Sequence, residues 1–134
     1  MTNFHLQIVT PDGLQFDGQA ERVIVQGVEG SVGILARHTD FVTPLGMGEA
    51  SILVDGKEHR AACIGGILSV QAGEVTLVPT TFEWAETIDT PRAEASLQRA
   101  KSILAKKDAT DAEIRLAEAR MKRALVRKSV ASHR

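Results

Sequence analysis

The chain has 134 residues and a formal net charge of −1; 43% of its residues are hydrophobic and 25% charged, the balance of an ordinary globular protein with room for one domain or a small domain plus an appendage. Aromatics make up 4%, with no Tyr, which argues against a stacking platform for single-stranded nucleic acid. The one cysteine, Cys63, excludes an internal disulfide framework and a multi-cysteine zinc site, and no apolar stretch approaches the roughly 18–20 residues of a membrane span.

Residues 1–9 lack the basic start and long apolar core of a secretory leader. Phe4-His5-Leu6-Gln7-Ile8-Val9 instead alternates as a strand does and stops at Thr10-Pro11-Asp12-Gly13, a strong turn signal. Leu14-Gln15-Phe16 restarts the run, and Asp17-Gly18 reads as another turn. Residues 20–25 form the next strand, with Val23 and Val25 on one face. Residues 31–35 and 41–45 flank a polar connection, Arg37-His38-Thr39-Asp40. Residues 50–54 run into Asp55-Gly56, the preferred pair for a two-residue hairpin turn, and 57–64 return. After Gly65-Gly66 come 67–70, the turn Ala72-Gly73, then 75–78 and a last short strand at 81–85. Many short strands at this spacing predict an all-β sandwich or barrel.

Near residue 88 the hydrophobic period becomes helical, in the segment Ile88-Asp89-Thr90-Pro91-Arg92-Ala93. Thr90 reads as the N-cap, with Pro91 at the first helical position. Ala93, Leu97, Ala100 and Leu104 make one apolar stripe, and Lys106-Lys107-Asp108-Ala109 ends it. Thr110-Asp111-Ala112-Glu113 has the form of a capping box and starts a second helix, lined by Ile114, Ala117, Met121, Ala124 and Leu125. So short a connection predicts an antiparallel helical hairpin. The organisation expected is a β domain over 1–88 and a hairpin over 89–134. The stripes are narrow and rich in Ala, so at about 25 cal/mol per Å2 the hairpin is marginal alone and suited to moving.

Charge is divided along the chain. Residues 1–112 carry nine Lys/Arg against fifteen Asp/Glu, a balance of −6; residues 113–134 carry seven against two, or +5. The second helix is a cationic rod on an acidic body, drawn to that body or to an acidic partner.

Chemistry is sparse. Gly27, Gly30 and Gly33 fit neither a dinucleotide fingerprint nor a P-loop and read as a glycine turn. His38 and Asp40 flank Thr39 without a nucleophile elbow or an oxyanion hole. The four His lack a metal-ligand spacing, so no metal site is expected, and Cys63 reads as a small core residue. The arginines carry more. Arg92 and Arg99 are seven apart on the first helix, and Arg123 and Arg127 are four apart on the second. In a hairpin they can converge near Asp89 and Glu83 as an anion site suited to a nucleoside triphosphate, by bidentate Arg–phosphate pairing. A solvated basic face with ordinary salt bridges is the competing reading.

Taken in order, Val9-Thr10-Pro11-Asp12-Gly13, Glu29-Gly30-Ser31-Val32-Gly33-Ile34-Leu35 with His38, Ile64-Gly65-Gly66-Ile67-Leu68-Ser69-Val70, Val75-Thr76-Leu77 and Ile88-Asp89-Thr90-Pro91-Arg92-Ala93 resemble the epsilon subunits of bacterial F-type ATP synthases over essentially the whole chain. The last piece fits that family's Ile/Leu-Asp-x-x-Arg-Ala motif. Ser31 stands where relatives often have an acidic residue, and Ala36-Arg37 where they usually have Pro-Gly.

The resemblance implies a ten-stranded β sandwich followed by a C-terminal two-helix hairpin. It implies a non-catalytic rotor subunit, bound to the gamma subunit and the c-ring, that couples proton flow to ATP synthesis and lies peripherally on the cytoplasmic face of the bacterial cell membrane through its complex. The hairpin would extend into the catalytic alpha/beta head to block hydrolysis, using the basic residues Arg115, Arg120, Lys122, Arg123, Arg127 and Lys128. Glu29, Gly30, Ser31, Gly33 and His38 match the loop facing the c-ring and gamma. Glu83, Ile88, Asp89, Arg92, Ala93, Arg99, Arg123 and Arg127 match the positions that bind ATP in some relatives, making ATP, with Mg, a candidate regulatory ligand and no cofactor required. The alternatives are a coupling subunit without nucleotide sensing and an unrelated small β enzyme acting near His38.

Overall fold

The protein is described by a computed structural model over residues 3–134. It divides into two compact units, one ending at Trp84 and the other running from Ala85 to Arg134.

Period-2 alternation builds the first unit. In β1 (Phe4–Thr10) every second residue, Phe4, Leu6, Ile8 and Thr10, is buried. There follow β2 (Gly13–Ala20), β3 (Arg22–Gly27), β4 (Gly30–Leu35), β5 (Phe41–Pro44), β6 (Met47–Val54), β7 (Lys57–Ile64), β8 (Ile67–Gln71), β9 (Glu74–Val78) and β10 (Thr81–Trp84). They form two five-stranded sheets, ordered β2-β1-β9-β8-β5 and β10-β7-β6-β3-β4. With two helices after it, this is the ten-stranded sandwich and hairpin expected. The β1–β9 pair is parallel, with Leu6 opposite Val75; consecutive hairpin strands pair antiparallel. The inner faces meet over Leu6, Ile8, Val23, Val25, Ile34, Ile52, Leu68 and Leu77, all fully buried. Cys63 joins this core, where burial pushes its thiol up to about 12, so it stays protonated and inert.

Asp17-Gly18 is not a turn. β2 runs through it, with Asp17 opposite Gln7 and Gly18 opposite Leu6. His5 reaches across the sheet surface, its Nε2 2.5 Å from Asp17 and its Nδ1 2.6 Å from Glu74 of β9. Ladder pairing and this three-strand staple outweigh the local turn preference of an Asp-Gly pair.

The other turn signals hold. Asp55-Gly56 (φ 51°, 76°) and Ala72-Gly73 (φ 50°, 81°) both have two positive-φ residues, as a tight hairpin requires. Gly66, at φ 96°, has no substitute: a Cβ there would lie 2.0 Å from the Val78 carbonyl oxygen and 2.7 Å from the Pro79 Cα. Arg37 occupies the left-handed region at φ 63°, a conformation a glycine adopts without strain.

Trp84, at the end of the sandwich unit, is fixed by edge-on rings: Phe82 at 4.8 Å, His59 at 6.3 Å and Phe16 at 6.4 Å between centroids. At the far side of the first sheet, β5 is the terminal strand, and its Pro44 carbonyl accepts the Val28 N–H at 3.3 Å. Val42 on β5, Ile67 on β8 and Val78 on β9 are exposed on the outer face of this sheet, and a shallow cavity of about 400 Å3 opens between residues 40–42 and 69–71.

Candidate functional site

The hairpin begins with a short 3-10 turn, Ala85–Thr87, and then α1 (Thr90–Leu104) and α2 (Asp111–Ala131). The N-cap of α1 is Asp89, not Thr90. Asp89 has extended backbone (φ −82°, ψ 94°), and its carboxylate accepts the Arg92 N–H at 3.0 Å. Both residues are good caps, and the carboxylate gains further from the positive end of the helix dipole. Pro91 is accommodated because the first helical turn leaves its N–H groups without intrahelical partners.

The second start is as expected. Thr110 Oγ1 accepts the Glu113 N–H, and Glu113 accepts the Thr110 N–H, each at 3.1 Å. That backbone donor holds the Glu113 carboxyl below its usual value.

The helices pack against each other. α1 buries Ala93, Leu97 and Ala100, and α2 buries Ala117, Ala124, Val130 and Ala131, the three alanines at a repeat of seven. Methyl groups at seven-residue spacing let the two backbones approach closely. Leu125 is 46% exposed, so it does not line this face as its spacing suggests. It stands one residue beyond Ala124, about 100° round the helix, and the narrow stripe of α1 cannot cover it.

Packing is antiparallel in register. Lys128 Nζ lies 2.5 Å from Glu94, tying the last turns of α2 to the first of α1, and holds the Glu94 carboxyl below its usual value. Beyond α2, Arg134 Nη1 donates to the carbonyls of Ile88 (2.9 Å) and Ala85 (3.2 Å), and Nη2 to Thr90 Oγ1 (3.3 Å). Neither tie belongs to a motif, and the residues of each are more than 30 apart in sequence, so pattern reading missed both.

These ties place the arginines. Five residues along α1 from Glu94 is Arg99, and five back along α2 from Lys128 is Arg123, so these two stand level. In an antiparallel pair of right-handed helices, the position just before each inward-facing residue lies on the same side of the pair. Arg92 and Arg99 precede Ala93 and Ala100; Arg123 and Arg127 precede Ala124 and Lys128. All four thus share one side of the hairpin, spanning about 10 Å along α1 at 1.5 Å per residue. Arg92 and Arg99 are exposed, while Arg123 and Arg127 are half-buried. Asp89 is exposed at the same end, and Ile88 and Ala93 are buried. Glu83 is half-buried on β10, in the sandwich unit. Of the basic residues of α2, Arg115, Arg120 and Lys122 are exposed, whereas Lys128 is committed to Glu94.

In the sandwich, Glu29, Gly30, Ser31 and Gly33 are exposed on the β3–β4 hairpin, where Gly27 pairs with Gly30. Val28 at its tip is 61% exposed. His38 Nδ1 donates to the Thr39 carbonyl at 2.7 Å, and its ring leans on Phe41. Asp40 instead accepts the Ala72 N–H at 2.9 Å. His38 and Asp40 are thus engaged with different groups, and no Asp–His–Thr relay is assembled here.

Residues 3–85 match the family described as ATP synthase, Delta/Epsilon chain, beta-sandwich domain, and residues 86–132 match its long alpha-helix domain. The ATP synthase epsilon chain of Shouchella clausii is 37% identical over 134 residues, covering 100% of this chain and 98% of that one. The epsilon chain of Bacillus velezensis is 39% identical over 133 residues, covering 99% and 100%. Among solved structures, a chain of the Euglena gracilis mitochondrial ATP synthase (OSCP/F1/c-ring, rotational state 1) superposes with a TM-score of 0.82 at 19% identity, over 98% of this chain and 82% of that one. A chain of the Tetrahymena thermophila mitochondrial ATP synthase central stalk/c-ring does so at 0.64 and 16%, over 95% of each. At such identities the likeness is one of fold.

Proposed function

This chain belongs to the delta/epsilon chain family of ATP synthases, and we propose that it is a non-catalytic central-stalk subunit of a bacterial proton-translocating F-type enzyme. In this reading it turns with the gamma subunit and the c-ring, coupling ring rotation to ATP synthesis at the cytoplasmic face of the membrane. The exposed apolar face at Val42, Ile67 and Val78 supplies a surface for gamma, and the β3–β4 tip at Val28 to Ser31 one for the ring. The hairpin is the regulatory part: extended, it carries the cationic α2 to the alpha/beta head and restrains hydrolysis; closed, it releases that restraint.

The make-up of the hairpin carries the regulatory reading. Its helices meet largely over alanine methyls, each contributing little at about 25 cal/mol per Å2, so closure is weak enough to be reversed by a ligand. Four arginines on one side of that closed form offer a matching ligand chemistry, a run of phosphates held by charge-assisted forks, and ATP supplies it. Such a ligand favours the closed form only as far as it binds that form better.

Two measurements test this. Calorimetry with MgATP on the intact chain is expected to give heat that Arg92→Ala reduces; no heat at millimolar ATP would reject nucleotide sensing and leave the coupling role. Ending the chain after Ile88 in a reconstituted complex is expected to leave assembly with gamma intact and raise ATPase activity. An unchanged ATPase rate would count against the restraint.

A further inference from the structure

The hairpin unit is closed by a contact that no motif announces. After Ala131 the backbone of α2 winds on through a last turn: the Ser132 N–H reaches the Lys128 carbonyl at 3.2 Å, His133 reaches Val130 at 3.0 Å, and Arg134 reaches Ala131 at 3.3 Å. This turn delivers the Arg134 guanidinium onto the segment where the unit begins, at three oxygens within 3.3 Å: the carbonyls of Ala85 and Ile88 and the hydroxyl of Thr90. The Ala85 carbonyl otherwise takes a long bond, 3.4 Å from the Ile88 N–H. A planar fork of donors suits three fixed acceptors in a way a single ammonium does not. A cation just past the end of α2 is also favoured by the dipole of its own helix.

We propose that Arg134 is a clasp that holds the two ends of the hairpin unit together and sets how often the hairpin opens. The contact joins residues 44 to 49 apart in sequence, so α2 cannot leave α1 without breaking it. Beside it the Glu94–Lys128 bridge ties the same end of the helix pair, and beyond that bridge the interface offers mostly alanine methyls, Ala100, Ala117 and Ala124. With the rest of the interface so weak, the hairpin opens by releasing this end, so Arg134 governs the closed fraction. The clasp deepens the proposed regulatory role by naming the groups that set its resting position, and it rests on that reading for its purpose.

The test is hydrogen exchange on the full chain, without nucleotide and without partners. Amides over 92–97 and 124–131 report opening of the hairpin ends, and amides of β6 and β7 report unfolding of the sandwich. Arg134→Ala is expected to speed exchange at both hairpin ends about tenfold, the scale for hydrogen bonds from a charged donor, with the β amides unchanged. Arg134→Lys, which keeps the charge without the fork, should recover part of the protection. Wild-type exchange rates in Arg134→Ala would overturn the clasp, and complete recovery with Lys would overturn the forked geometry as its basis. Because neither ATP nor the complex enters, failure of nucleotide sensing or of ATPase restraint is read separately from failure of the clasp.

Discussion

Asp89 stands where two roles overlap, and replacing it in two ways separates them. Its carboxylate takes the Arg92 N–H at 3.0 Å, and its backbone carbonyl takes the Ala93 N–H at 3.0 Å. Asp89→Ala removes a helix cap, a loss of about 0.5–2 kcal/mol, together with roughly 0.3–1 kcal/mol of charge–dipole attraction. For a hairpin with so little buried area, about 1–2 kcal/mol multiplies the open fraction roughly 5- to 30-fold. Asp89→Asn keeps the acceptor oxygen and gives up the charge, so only the smaller dipole part should go. The assay is amide exchange at Arg92 and Ala93 in the intact chain: faster in the Ala variant, close to wild type in the Asn variant. Equal rates in Ala and wild type, or Asn as fast as Ala, would refute the cap. With the cap kept, calorimetry of the Asn variant reads the carboxylate's part in nucleotide binding. Ligand heat lost in Asn places the charge at the ligand; heat lost in Ala alone marks the cap as the cause.

The His5 staple gives the first unit a defined pH response. Hydrogen bonds to Asp17 and then Glu74 raise His5 above its ordinary 6.5, so its contribution is full below that value and is lost as pH rises through the raised pKa. The His5 bond in turn lowers Asp17, so its contribution is present above the ordinary 3.8 and fades as pH falls through the lowered value. The melting temperature of wild type should therefore exceed that of His5→Gln most between the ordinary 3.8 of Asp17 and the ordinary 6.5 of His5, and least once pH has risen past the raised His5 value; a gap independent of pH, or a His5 ring titrating below 6.5 by NMR, would contradict this. Gly66→Ala should cost about 3–5 kcal/mol in denaturant melts, because its Cβ has no space beside Val78 and Pro79 and its φ is positive; a loss under 1 kcal/mol would show that the corner relaxes. Arg37→Gly should stabilise the unit by about 0.5–1 kcal/mol, the left-handed strain relieved less the added freedom of the unfolded chain, and a destabilised variant would count against that strain.

Strong local signals reached the structure intact. The alternation of β1, the hairpin pairs Asp55-Gly56 and Ala72-Gly73, and the Thr110–Glu113 capping box each need only neighbouring residues, and each was legible. Asp17-Gly18 has the same local signal as a turn, but its outcome is decided by β1 beside it and by Glu74, 57 residues on. Asp89 and Thr90 compete as adjacent caps, and which one wins depends on a backbone angle that composition does not encode. Leu125 fits a helical period, yet the width of the partner's stripe decides whether it is covered. Four arginines at helical spacing could be read as candidates to converge; that they lie on one side follows from the antiparallel register set by Glu94–Lys128, a pair 34 residues apart. Arg134 carried no signal at all.

The parallel pairing of β1 with β9 also bears on how the chain is made. During synthesis β1 can form a ribbon with β2 soon after both emerge, but its other edge must wait for residues 74–78. Until then that edge of β1 has unpaired backbone groups and is open to mispairing. Closure therefore comes late and over a long loop, which places the sandwich among slower, non-local folders. The α1–α2 packing joins residues all within 90–131, so the α-hairpin can form quickly once it has been synthesised. A single polypeptide thus joins a slow-folding β unit to a fast-folding helical one that is synthesised after it, so the β unit has begun its search for register before the hairpin emerges.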